Sequence, residues 1–414
     1  MIIEAFKGFR PLPELASKVA LNPNNLLSDQ RRKEEARKNP YSFAHVVKPR
    51  LNFPDDTPKT EQQLFDFARM YFQKMVDEGT ILRDEEPCLY VYRLSLEGHT
   101  QTGLISCLHI RDYQEGRIKK HEHTRADKEN ENVLHITSTL LNSNPVFLAY
   151  TPVDKIDMLI AMITNEHLPA YDFVNEYGVR QEVWVVSNEK TIDELTDLFN
   201  KHVHCSYIAD GHHRAAAAAI YAGQMADKLN QLKSNDFNYL LTCLFPANQL
   251  RIYDYNRLIK NLNGHTEKEF LKLVSEKFDV KIASRSPYDP SQPHRFGMYL
   301  NYKWYKLRAR EGTYTNDAVA SLDVSILQNN LLDPVLGIKD PRIDRRIDFV
   351  PGIKGLAALE KAVVKGKAAV AFSLFPVTME QLFAISDMNE VMPPKSTWFE
   401  PKLMSGLIVF KMEL

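Results

Sequence analysis

The sequence is short of cysteine, has no excess of either charge, and lacks any long apolar run. Four cysteines, Cys88, Cys107, Cys205 and Cys243, are scattered through 414 residues without a CxxC pair, which argues against a zinc ribbon or a disulfide framework and leaves buried free thiols as the expectation. No apolar stretch reaches the roughly 18 residues that a membrane-spanning helix needs. The opening residues, Met1-Ile2-Ile3-Glu4-Ala5-Phe6-Lys7, have neither the apolar core nor the small-residue cleavage site of a secretory signal. A cytoplasmic location is therefore expected. Lysine and arginine number 52 against 53 acidic residues, a net charge of −1, so no global field draws the chain to nucleic acid or an anionic membrane. Also missing are GxxxxGK[ST], a GxGxxG after a strand, GxSxG and HExxH, the signatures of familiar phosphate-binding, hydrolase and zinc-protease sites.

What is present reads as globular: 44% hydrophobic and 25% charged residues over a length that suggests two closely packed domains. Residues 1–60, rich in proline, asparagine and charge, read as an arm packed on the body. Leu64, Phe67, Ala68, Tyr71, Phe72 and Met75 recur at helical spacing until Gly79. Two strands, 88–94 and 102–109, flank a turn at Glu97-Gly98-His99 and predict a hairpin. Strands and helices then alternate to about 245, with a Thr191/Glu194 capping box opening one helix. After Asn263-Gly264 the pattern restarts, with Thr266/Glu269 and Thr378/Gln381 boxes and a last strand at 407–412. The expectation is an α/β (α+β) protein with a mixed-sheet core over 61–262 and an additional α/β region over 263–414.

Three segments can carry chemistry. Asp210-Gly211-His212-His213-Arg214 follows a strand-like run and precedes five alanines, so it sits at a strand-to-helix turn. Such a turn offers unpaired N–H groups and the positive end of a helix dipole to an anion, with Arg214 as a bidentate fork. The bland reading is that Asp210 simply caps the helix. Lys119-Lys120-His121-Glu122-His123-Thr124-Arg125 also leads toward a helix, through a Thr124/Asp127 capping box, and its single carboxylate, Glu122, would serve as a general base once desolvated. Its bland reading is a solvated charged face. Met392-Pro393-Pro394-Lys395-Ser396-Thr397-Trp398-Phe399-Glu400-Pro401-Lys402-Leu403 is a proline-stiffened loop suited to gripping a ligand, or an ordered connection whose Trp398 and Phe399 pack inward.

These segments, together with Tyr255-Asn256-Arg257, resemble the bacterial family known as domain of unknown function 1015, from Phe6-Lys7-Gly8-Phe9-Arg10-Pro11 to the last strand. That family is similar, more distantly, to the ParB/sulfiredoxin-like group, which includes free-serine kinases. The resemblance implies that Gly211, His212, His213 and Arg214 hold nucleotide phosphates, with Lys120, His121, Thr124 and Arg125 beside them. Glu122 would be the catalytic base, and Asp210 would hold Mg2+ or orient the hydroxyl. Lys395, Ser396, Thr397 and Trp398 would form a substrate loop. Two departures from the family pattern are Pro23-Asn24-Asn25-Leu26-Leu27-Ser28, where an acidic group is usual, and Pro351-Gly352, where a Gly-Gly pair is common.

The leading expectation is a nucleotide-dependent kinase that uses ATP or ADP with Mg2+ to phosphorylate a small hydroxyl metabolite such as free serine. A non-catalytic nucleotide-binding regulator is the second reading. A metal-dependent hydrolase using His121, His123, His212, His213 and Asp210 is the third. The expected partners are a small-molecule substrate and a nucleotide; a homo-oligomer is compatible with the sequence, and neither membrane nor nucleic acid is engaged.

Overall fold

The computed structural model describes residues 1–22, 29–226, 234–283 and 287–413, so the departure at 23–28 lies outside the described residues. The chain is α/β and forms two compact units, Met1–Leu250 with Pro401–Leu414, and Arg251–Glu400. The division falls ahead of the expected restart after 262, because Tyr255–Ile259 pairs with Ile347–Pro351 and Val370–Leu374 in the second unit's sheet.

A nine-stranded mixed sheet organises the first unit, in the order Ile118–Lys119, Ser206–Asp210, Val146–Tyr150, Tyr239–Pro246, His99–His109, Leu89–Leu96, Arg180–Val186, Tyr171–Val174, with Ile3–Glu4 also pairing His99–His109. Two pairings are parallel, Ser206–Asp210 with Ile118–Lys119 and Tyr239–Pro246 with Val146–Tyr150; the rest are antiparallel. Val146–Tyr150 is buried at every position, as a strand covered on both faces requires. The hairpin forms as expected, with Glu97 and Gly98 both at positive φ in its turn. The first sixty residues are more than an arm: Phe43 and Val46 are fully buried in one cluster with Ala68, Phe72 and Met75 of the helix Glu61–Asp77.

The second unit carries a six-stranded antiparallel sheet in the order Phe278–Ile282, Lys303–Ala309, Arg295–Leu300, Val370–Leu374, Tyr255–Ile259, Ile347–Pro351. Tyr299, Trp304, Val350, Leu359 and Ala371 form a core cluster there. The Thr266/Glu269 and Thr378/Gln381 boxes close reciprocally on Glu267–Lys277 and Met379–Asp387, each cap contributing about 1 kcal/mol.

Local signals fail in three places. The helix expected from Thr191 begins at Glu189, because Asn188 accepts from the Thr191 amide and takes the cap. The helix after the second segment starts at Ala126, so Thr124 lies outside it and donates to Glu129 instead of making a box with Asp127. The last strand shrinks to Phe410–Lys411 against Leu141–Asn142; Val409 forms a separate bridge to Phe9. Among the described residues no helix is long and apolar enough to cross a membrane.

Candidate functional site

Parallel pairing sets the site. Ser206 is aligned with Ile118 and Tyr207 with Lys119, so both strands release their chains at the same edge. Each then runs into a helix, Ala126–Thr139 or His212–Ala226, and the two helices pack on each other. Ala215, Ala216, Ala217 and Ala218 are buried on the second helix, where short side chains allow close approach. Gly211 turns the corner at φ +107, and a Cβ there would lie 2.7 Å from Arg214 Nη2. Only glycine is comfortable in that backbone conformation.

The histidines join the two turns. The His121 and His212 rings meet edge-on, 4.6 Å between centroids, and both are buried. Burial drives His121 down to about 4 against a hydrogen bond to the Ile208 backbone. Burial, then the His121 ring, holds His212 well below the usual histidine range. Both are neutral at pH 7. The His121 amide makes a long 3.5 Å contact with His212 Nε2. An amide can only donate, so Nε2 accepts and the proton sits on Nδ1. That Nδ1 lies 3.8 Å from Glu122 Oε2. His213 does the same in the neighbouring turn, its Nε2 accepting from the Arg125 amide at 3.1 Å. Both Nε2 atoms thus stitch loop to loop, and only the Nδ1–H groups remain as donors.

Asp210 lies between two cations. Its Oδ1 accepts from Lys402 Nζ at 2.9 Å and its Oδ2 from Arg214 Nη2 at 3.0 Å. Burial opposes its charge, but Lys402 and Arg214 overrule it and hold the carboxyl well below the usual range. Arg214 also reaches the Pro145 carbonyl at 3.4 Å, while its Nε is buried without a partner among the described residues. Lys402 was not among the candidates; the signal was its place in the same Glu400-Pro401-Lys402 run.

The remaining candidates divide. Lys120 is exposed, its Nζ 5.2 Å from the Tyr113 ring. His123 is exposed. Arg125 is exposed and grips Asp127 with Nε and Nη2. Lys395, Ser396, Thr397 and Trp398 belong to the second unit. There the expected loop ends in a short strand, Trp398–Phe399, paired with Ile252–Tyr253, and Phe399 is buried.

Among the described residues no group of three or more histidine, cysteine, aspartate or glutamate side chains is placed to hold a metal ion. His121 and His212 form a pair rather than a ligand set, and both Asp210 oxygens face cations. This donor set does not fit the expected metal ligation by Asp210 or the hydrolase arrangement.

A family described as protein of unknown function (DUF1015) matches residues 3–325. No curated protein matches. Among solved structures, the chain is similar to a free serine kinase in complex with AMP at 13% identity, TM-score 0.38, over 75% of this chain and 91% of that one. A conserved hypothetical protein from Pyrococcus furiosus is also similar, at 13% identity and TM-score 0.36, over 75% of this chain and 95% of that one. C-terminally truncated SbnI from Staphylococcus aureus aligns at 10% identity and TM-score 0.36, over 72% and 85%.

Proposed function

Because the chain belongs to this family of unknown function, we propose its activity from the site itself: a nucleotide-dependent phosphotransferase acting on a small hydroxyl metabolite, with free serine a first candidate. One observation carries the reading. The neutral His212 ring opens the helix His212–Ala226 and places its Nδ1 beside the Glu122 carboxylate, so a general base and an anion-binding helix start adjoin. The first N–H groups of that helix have no intrahelical partner. Arg214 adds a buried Nε without a partner among the described residues, an arrangement that costs about 1–3 kcal/mol unless a ligand repays it.

In this reading the helix start and Arg214 hold the nucleotide phosphates. Glu122 accepts the hydroxyl proton as the new O–P bond forms and the nucleotide leaves as ADP or AMP. Asp210 positions Arg214 rather than a resident metal; any Mg2+ would come with the nucleotide. Glu122→Gln should lose about 10²–10⁴-fold in turnover while nucleotide affinity stays unchanged, measured with ATP or ADP against a panel of hydroxyl metabolites that includes serine. Equal turnover in the variant removes Glu122 from the chemistry.

The closed Lys402–Asp210–Arg214 arrangement favours one other reading, a nucleotide-binding regulator that transfers nothing. Tight nucleotide binding without turnover across the panel would select it.

A further inference from the structure

Arg257 is a buried cation without an anionic partner among the described residues. It lies on the strand Tyr255–Ile259, 4% exposed. Its guanidinium packs 4.6 Å from the centre of the Phe349 ring, on the residue directly opposite in the neighbouring strand. Nη1 donates to the Tyr255 carbonyl, and Nη2 donates to the Lys395 carbonyl at 3.0 Å. Both acceptors are neutral. A guanidinium carries five N–H donors in a planar fork suited to carboxylate or phosphate, so two carbonyls and a ring face leave it under-used. Burial pushes Arg257 down to about 9, with Tyr255 opposing the shift. Proteins rarely bury a charge unless something compensates it.

The Lys395 carbonyl brings a second cation alongside. Lys395 has φ +59, an uncommon conformation for a side chain of this size. Its Nζ sits 5.6 Å from the centre of the Tyr255 ring. Ser396, next along, is buried and donates to the Pro393 carbonyl at 2.6 Å, which tightens the turn after Pro393-Pro394. Lys395 itself is exposed. Neither Arg257 nor Lys395 forms an ion pair among the described residues. If Arg257 served only to pin the loop, a neutral amide donor would bond the same two carbonyls without the cost of a buried charge.

We propose that Arg257 and Lys395 form an oxyanion-binding site within the second unit, for the carboxylate or phosphate group of a small ligand. The exposed ammonium of Lys395 meets the anion first. The anion then replaces the Lys395 carbonyl on Arg257, exchanging a neutral acceptor for a charged one and taking a bidentate grip. The argument for this site does not depend on the phosphotransferase reading.

The test uses the full chain at constant ionic strength, with chloride as the control anion. Inorganic phosphate and malonate are titrated separately, and binding is followed by calorimetry and by the shift in Tm. One of the two should bind saturably and raise Tm above the chloride control: phosphate if the natural ligand carries a phosphate, malonate if it carries a carboxylate. Lys395→Ala should weaken that binding at least tenfold without changing the anion-free Tm. Arg257→Met should abolish it without lowering the anion-free Tm, because an uncompensated charge is removed. If Arg257→Met fails to fold, Lys395→Ala decides alone. No response to either oxyanion, or the same response in both variants as in the parent chain, overturns the proposal.

Discussion

The amide of Arg125 donates to Nε2 of His213 at 3.1 Å, so the helix Ala126–Thr139 is capped by a side chain from a turn 88 residues away. Arg125 is the N-cap residue and offers no side-chain cap of its own. His213→Ala should therefore cost about 1 kcal/mol, the usual value of a lost cap, in urea unfolding. Arg125→Ala keeps the amide and removes only an exposed ion pair with Asp127; it should change stability by less than about 0.5 kcal/mol.

Acid should destabilise the first unit. Burial depresses five of its histidines: His121 and His135 to about 4, His212 well below its usual range, and His109 and His213 to a lesser degree. Unfolded, each binds a proton near 6.5 that the folded protein refuses. The unfolded state therefore binds more protons, and stability falls as pH drops from about 6.5 toward 4, by about 1 kcal/mol per pH unit for each fully buried histidine. Glu4, Asp112 and Asp157 of the same unit, raised by burial, act oppositely, because the folded state keeps their protons; Asp254 and Asp323, raised to about 6 and about 7, do the same in the second unit. The five histidines outnumber the first unit's three raised carboxylates, so its urea midpoint should be lower at pH 5 than at pH 8. His135→Phe should flatten that difference.

Much of this was legible because hydrophobic period and turn chemistry are local. The hairpin at Glu97-Gly98, the Thr266 and Thr378 caps, and the strand-to-helix turn at Gly211 all follow from neighbours in sequence. The Thr191 and Thr124 boxes failed because a competing acceptor won in each case: Asn188 for the first, and Glu129 for the second, which takes the Thr124 hydroxyl; the Arg125 amide at that helix start goes instead to His213, a residue no local window contains. Long-range pairing was equally silent. Nothing near Asp210 announces that Lys402, 192 positions on, will occupy one of its oxygens, and strand order, which brings 118–119 beside 206–207, has no local signature. The candidate site was thus readable as two separate turns. Their joining was not, nor was the use of the histidines as acceptors.

Asp210 and Lys402 should prove coupled. Their contact is 2.9 Å, with Lys402 12% and Asp210 41% exposed, so solvent screens the pair only in part. A double-mutant cycle with Asp210→Asn and Lys402→Met should return an interaction of about 1 kcal/mol, above an exposed pair and below a buried one. Lys402→Met alone should also release Asp210 toward Arg214 and lower nucleotide affinity. Strict additivity of the two substitutions would reduce the contact to coincidence.

Gly211 offers the sharpest test of how the turn presents Arg214. Gly211→Ala faces two penalties: a φ of +107, and a Cβ 2.7 Å from Arg214 Nη2 and 3.1 Å from its Nε. Gly116→Ala faces only the first, since φ is +74 there and nothing lies within 4 Å. Both should lose about 1–2 kcal/mol of backbone conformational energy. Only Gly211→Ala must also push the guanidinium from its place on Asp210, so it alone should weaken nucleotide binding, by about tenfold for each 1.4 kcal/mol of lost contact. The measurement is nucleotide titration beside urea unfolding for both variants. If Gly211→Ala loses stability while binding nucleotide as tightly as Gly116→Ala, Arg214 is a structural partner of Asp210 and the phosphates are held elsewhere.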